Sequence, residues 1–162
     1  MFRSPVFLFL CCVLLEASSI GTALGQNFSE FAIPTATPSP TAMVTGPDGR
    51  VWITESSNVA NKIAAIASNG DITEYQIPTA SAGAQGIVVG PDNNLWVSLT
   101  SANKIARVTP QGIFTEFGLP TPNSQPFGLA SGPDGNIWVA LSNVNKIARV
   151  TLSGEVTEFS IP

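Results

Sequence analysis

The chain repeats itself every 42 to 44 residues, and a period of that length leaves few folds open to it. Gly46-Pro47-Asp48, Gly90-Pro91-Asp92 and Gly132-Pro133-Asp134 are each followed at a fixed offset by a tryptophan: Trp52, Trp96 and Trp138. Asn-Lys-Ile-Ala starts at Asn61, Asn103 and Asn145, and Thr-Glu-aromatic at Thr73, Thr115 and Thr157. An isolated echo, Glu30-Phe31-Ala32-Ile33-Pro34, matches the unit ends Glu74–Pro78, Glu116–Pro120 and Glu158–Pro162. Three units therefore cover residues 35–78, 79–120 and 121–162. Periods of roughly 20–50 residues belong to solenoids, propellers or arrays, and about 40–45 residues with four strands each is the propeller range.

Within a unit the residues read as strands. In the second, Gly86-Ile87-Val88-Val89 is a continuous apolar run, as expected for a strand covered on both faces. Pro91 to Asn94 is a turn, with proline presetting φ and Asp or Asn bonding its own backbone. Leu95–Leu99, Lys104–Val108 and Ile113–Leu119 complete four short strands. Gly or Pro recurs too often for a repeat built of helices. Connectors such as Thr35–Thr41, Thr79–Ala84 and Thr121–Pro126 carry no apolar period and read as extended links. A unit that starts with an apolar strand and ends with a more polar one fits a blade whose inner strand lines an axis and whose outer strand meets water.

Ahead of the repeat, Met1-Phe2-Arg3 bears one positive charge, Val6 to Leu15 is apolar, and Glu16 to Gly25 is polar and rich in small residues. This reads as a secretory signal peptide over residues 1–25, with the repeat domain over 26–162. The apolar run is too short for a bilayer span, which needs about 20 residues. Both cysteines, Cys11 and Cys12, lie within it, so the mature chain is expected to be secreted or extracytoplasmic, without thiols and without a membrane anchor. Asn27-Phe28-Ser29 is a glycosylation sequon. Removing Arg3 and Glu16 takes 7 basic and 11 acidic residues to 6 and 10, leaving the net charge at −4, a poor surface for nucleic acid.

Repeated residues are structural before they are chemical. The tryptophans read as packing between blades. Lys62, Lys104 and Lys146 face Glu74, Glu116 and Glu158 as exposed cross-strand pairs worth about 0.2–1 kcal/mol each. Each turn aspartate supplies one ligand where Ca2+ needs about six to eight, so turn chemistry explains it better.

The succession Gly132-Pro133-Asp134-Gly135-Asn136-Ile137-Trp138-Val139, Asn145-Lys146-Ile147-Ala148-Arg149-Val150 and Thr157-Glu158-Phe159-Ser160-Ile161-Pro162, repeated over nearly all of residues 28–162, resembles the virginiamycin B lyase (streptogramin lyase) family. The resemblance implies a propeller and, in the lyases, metal-assisted elimination that opens cyclic streptogramins. It also implies a general-base His just before the first-strand Gly and a Mg2+-binding Glu closing the second strand 14 positions later. Many proteins with this repeat have no known lyase activity. Here the His positions hold Thr41, Gln85 and Phe127, the Glu positions hold Glu55, Leu99 and Leu141, and the sequence contains 0 His. Proton abstraction needs a group titrating near working pH, which Thr, Gln and Phe are not.

The expected fold is all-β: a partial β-propeller of three four-stranded blades plus one leading strand near Phe28–Ile33. Closed propellers have about four to eight blades. The chain is thus expected to be either a fragment of a longer propeller or half of a ring assembled from two copies. The expected function is a non-catalytic binding or interaction scaffold with no cofactor. Thr41, Glu55, Gln85 and Phe127 face the axis as candidate binding residues, toward an unidentified ligand or protein at the axis or rim, with a homodimer as a further partner. The alternative is a Mg2+-dependent carbon–oxygen lyase, or another propeller hydrolase, complete only in a longer chain or an oligomer.

Overall fold

The computed structural model describes residues 22–23, 26–27 and 29–162. The expected signal peptide lies outside the described residues except at Thr22–Ala23 (β1), which pairs antiparallel with Gln26–Asn27 (β2). That pair belongs to a first compact unit, residues 1–32, and residues 33–162 form a second.

The second unit is three four-stranded antiparallel sheets, each laid out in chain order. The first holds β3 (Pro40–Thr45), β4 (Val51–Glu55), β5 (Lys62–Ile66) and β6 (Ile72–Gln76). The second holds β7 (Ala84–Val89), β8 (Leu95–Leu99), β9 (Lys104–Val108) and β10 (Phe114–Gly118). The third holds β11 (Pro126–Ser131), β12 (Ile137–Leu141), β13 (Lys146–Val150) and β14 (Val156–Ser160). No helix occurs among the described residues. The leading strand does not form: Phe28 lies outside the described residues, and Ser29–Ile33 belong to no ladder. β14 already fills the outer position of the third sheet, the place that a leading strand would have taken.

The turn between the first two strands of each sheet shows why Gly-Pro-Asp recurs. Gly46 O accepts from Gly49 N at 3.0 Å, closing a turn with Pro47 at its first corner. The residue after the aspartate has positive φ, 77° at Gly49 and 75° at Gly135, and Asn93 manages 54° at the same place because its short side chain tolerates that region. The aspartate then reaches back along the strand. Asp92 Oδ1 accepts from Trp96 Nε1 at 3.1 Å and from Asn94 N at 3.3 Å, and the other two units repeat the pattern. Gly90 is needed for contact: a Cβ there would sit 2.5 Å from the Trp96 ring.

Successive sheets pack face to face. Trp52, Ile63 and Ala65 on the outgoing face of the first sheet share a core with Leu95, Val97, Leu99, Ala106 and Val108 of the second. Trp96 and Ile105 then pack against Ile137, Val139, Leu141, Ala148 and Val150 of the third. Each tryptophan also stacks within its own sheet, on Tyr75, Phe117 or Phe159, at 5.2–5.7 Å between centroids. Trp52 and Trp96 are fully buried while Trp138 is half-buried, because no sheet among the described residues covers the outgoing face of the third.

The inner strands differ from expectation. β7 is only half-buried, and Met43 and Phe127 on its neighbours are 71% and 52% exposed. These strands lie side by side, β3 next to β7 and β7 next to β11, and the three sheets do not close on the axis side. Apolar side chains chosen for an axis therefore meet solvent.

The lysine–glutamate pairs are also more than exposed pairs. The register sets Lys104 opposite Gly118 and Ala106 opposite Glu116, so lysine and glutamate meet diagonally, at 2.8 Å. Glu116 also accepts from Thr79 N (3.1 Å) and Thr79 Oγ1 (2.5 Å), and Lys104 Nζ donates to the same hydroxyl at 2.8 Å. Thr79 belongs to the connector that enters this sheet, so the cluster clasps the incoming chain. Thr35 with Glu74 and Lys62, and Thr121 with Glu158 and Lys146, do the same. Burial alone would raise the pKa of these three glutamates, but hydrogen bonds from lysine and threonine hold them below the usual value.

Candidate functional site

The four candidate residues lie at one end of the sheets, where each inner strand bulges. The register of β3 on β4 slips between Pro40 and Met43, and that of β7 on β8 between Ala84 and Ile87. The slip in β11 falls between Pro126 and Leu129. Thr41, Gln85 and Phe127 are the residues inside these bulges, which re-aim side chains at a rim.

A hydroxyl from the second strand holds the first two bulges. Ser98 Oγ accepts from Gly86 N at 2.8 Å and donates to Phe127 O in the next sheet at 2.6 Å. Thr54 Oγ1 accepts from Ala42 N at 3.1 Å and donates to Gln85 O at 2.7 Å. The carbonyls of Gln85 and Phe127 are thereby fixed by the preceding blade, which sets the spacing between neighbouring rim positions. Sequence reasoning passed over these hydroxyls; Thr54 and Ser98 share a place in the repeat, but Ala140 stands there in the third unit and blurs the signal.

Thr41 and Phe127 are exposed, and Gln85 is partly so. The Thr41 hydroxyl donates to Ser39 O at 3.1 Å. Together these positions present a hydroxyl, an amide and an aromatic ring, with no base among them.

Glu55 is placed differently. It closes β4, pairs across the ladder with Pro40 and Lys62, and is fully buried with neither carboxylate oxygen hydrogen-bonded. It points to the side of the sheet that Leu99 and Leu141 use for apolar packing. Burial raises its pKa to about 7, the nearby charge of Glu74 adds to the rise, and Lys62 opposes it. A carboxyl that prefers its proton near neutrality is a poor anionic ligand. Mg2+ demands near-octahedral oxygen coordination, and the one carboxylate here, beside a threonine already bonded to backbone, does not supply it. The residues of this chain do not by themselves fit the magnesium site that the family resemblance implies. Among the described residues no three His, Cys, Asp or Glu side chains gather where a metal ion could be held.

Radially adjacent four-stranded sheets, an inner strand on the axis side and a row of bulged residues at one rim define a propeller-type repeat protein. Residues 15–162 match the model of the virginiamycin B lyase family, and the chain belongs to that family. It is similar to selenomethionine-substituted virginiamycin B lyase from Staphylococcus aureus, at 39% identity and a TM-score of 0.81, over 87% of this chain and 47% of that one. A catalytically inactive histidine-to-alanine variant of the S. aureus enzyme with quinupristin matches at 40% identity and a TM-score of 0.80, over 83% and 45%. A streptogramin B lyase matches at 34% identity and 0.79, over 83% and 44%. The chain thus spans less than half the length of these relatives. A comparison with curated proteins gave no match.

Proposed function

We propose that this chain is a secreted, non-catalytic binding or interaction scaffold of the virginiamycin B lyase family, which takes a ligand or protein segment at its axis-side rim. The observation that carries this reading is the identity of the three rim positions. Thr41, Gln85 and Phe127 stand where the family resemblance places a general base, and none accepts a proton near neutral pH. They can still bind: an exposed aromatic face with amide and hydroxyl groups beside it suits a ligand that carries both apolar and peptide surface. The inactive relative crystallised with quinupristin replaces a single histidine, consistent with binding that outlasts loss of that residue.

Glu55 favours a second reading. A buried carboxyl titrating near pH 7 has the pKa of a useful general base, as a lyase completed by residues outside this chain would need. Incubating the secreted protein with Mg2+ and quinupristin separates the two. Binding by calorimetry without ring opening supports the scaffold. Ring opening above the blank, abolished by Glu55→Gln, overturns it.

A further inference from the structure

The turn between the third and fourth strands of each sheet is closed in two different ways. In the second and third sheets a threonine hydroxyl accepts the backbone N–H that ends the turn: Ile113 N donates to Thr109 Oγ1 at 3.3 Å, and Glu155 N to Thr151 Oγ1 at 3.0 Å. Ala67 stands at that place in the first sheet and has no hydroxyl. Asn69 supplies the acceptor there instead. Asp71 N donates to Asn69 Oδ1 at 3.1 Å, and Asn69 Nδ2 donates to Asp71 Oδ2 at 2.7 Å. Gly70, at φ 91°, follows Asn69, where the other two turns have Gln111-Gly112 and Ser153-Gly154.

The bond from Asp71 N closes a ring that spans the Asn69–Gly70 peptide, so the side-chain amide is folded back along that peptide and its carbonyl is polarised by a donor. Gly70 has no Cβ to obstruct an approach to its nitrogen. Asn69 and Asp71 are both exposed, so water reaches the turn. We infer that Asn69 is a site of spontaneous deamidation, with Gly70 N as the nucleophile and water as the co-reactant. Gly70 N gives up its proton and bonds to Asn69 Cγ; the Cγ–Nδ2 bond breaks, and Nδ2 takes up that proton and leaves as ammonia. Water then opens the cyclic imide at either carbonyl, leaving aspartate or isoaspartate, and nothing is oxidised or reduced. Gly70 N otherwise donates to Ala67 O at 2.9 Å, so the reaction waits for local opening, which costs little at an exposed hairpin tip.

Packing withholds the same chemistry elsewhere. Asp48-Gly49 and Asp134-Gly135 form such an imide only from a protonated carboxyl, because an ionised one is a poor electrophile. Burial would raise the Asp48 pKa, but hydrogen bonds from Arg50 and Trp52 hold it below its usual value, and hydrogen bonds from Asn136 and Trp138 do the same for Asp134. Asn123 precedes a buried serine, Ser124, whose N–H donates to Asn103 Oδ1 at 2.8 Å. At Asn69 the product disturbs the first sheet. A carboxylate there faces the Asp71 carboxylate to which the amide had donated, and isoaspartate lengthens the backbone within a turn closed by Ala67 N on Asp71 O at 2.9 Å. β6, whose Glu74 clasps Thr35, begins at the next residue. The inference is independent of what the rim binds.

The test holds the full chain at pH 8, samples it over weeks, and maps its peptides by mass spectrometry, with isoaspartate located by electron-transfer fragmentation. The peptide carrying Asn69 is expected to gain the mass of one deamidation, with isoaspartate in excess of aspartate, at a rate within several-fold of that in guanidinium chloride. Asn123 is expected to react in guanidinium chloride alone, and the two Asp-Gly pairs to stay unmodified in the folded chain. Asn69→Gln abolishes the products. Ala67→Thr, which supplies the hydroxyl acceptor of the other turns, slows them several-fold without lowering the urea midpoint. Asn69 staying intact in the folded chain while it reacts in guanidinium chloride overturns the proposal, and an unchanged rate in Ala67→Thr overturns the part given to the Asp71 N–H.

Discussion

Glu55→Leu gives the first blade the residue that the second and third carry at Leu99 and Leu141, and the buried carboxyl makes its effect depend on pH. The folded pKa of about 7 lies above the 4.5 of an ordinary glutamate, so the folded chain holds this proton more tightly than the unfolded chain does. Below pH 4.5 the group is protonated in both states and its ionisation costs nothing. As pH rises from 4.5 to 7 the unfolded chain releases the proton first, and stability falls with a limiting slope of about 1.4 kcal/mol per pH unit. Above pH 7 the loss is complete, at about 3 kcal/mol. Glu74, Glu116 and Glu158 have lowered pKa values and act the other way, but their contribution is lost only as pH falls below their unfolded value. The interval from 5 to 7 therefore isolates Glu55. Urea unfolding at pH 5, 6, 7 and 8, followed by tryptophan fluorescence, should show the wild-type chain weakening across that interval and Glu55→Leu staying flat. The Leu chain should be more stable at pH 8 by about 3 kcal/mol plus the apolar gain of about 1 kcal/mol. Glu55→Gln should also flatten the profile. If the wild-type slope persists in both variants, the carboxyl is not buried without a partner as described here, and the reasoning fails.

Glu116→Ala removes the acceptor shared by Thr79 and Lys104 and should cost about 1–3 kcal/mol in the same urea assay, with the connector around Thr79 losing amide-exchange protection. Gly90→Ala drives a Cβ into the Trp96 ring and should cost about 1–3 kcal/mol, while Gly49→Ala, with no atom within 4 Å of its Cβ, suffers only from its positive φ. Ser98→Ala leaves Gly86 N and Phe127 O without their partner and should destabilise by about 1–3 kcal/mol; Ala140→Ser should be near neutral, since no carbonyl of a next sheet lies beside it among the described residues. Phe127→Ala, at a half-exposed position, should change the urea midpoint little and weaken binding at the rim by at least tenfold in a calorimetric titration.

Much of this architecture could be read from residues near in sequence. The Gly-Pro-Asp turn, the tryptophan at its fixed offset and the four strands follow from proline's φ, from the residues that tolerate positive φ and from apolar runs of strand length. Those signals are local, so a repeat displays them three times over. The connector clasp was half legible: the spacing showed Lys104 and Glu116, but not Thr79, which lies 37 residues from the glutamate. The role of the Thr54 and Ser98 hydroxyls was not legible because one partner of each is a carbonyl of the next sheet and Ala140 interrupts their repeat.

The sequence by itself determined a three-unit all-β repeat without a histidine. Tertiary structure decided how those units meet. It buried Glu55 without a hydrogen-bond partner, set Asn61 and Asn103 to hold the connector into the following sheet, and left Trp138 only half-buried. The reason is physical: backbone conformation is fixed by neighbours along the chain, whereas burial and the pairing of polar groups depend on which face another sheet covers.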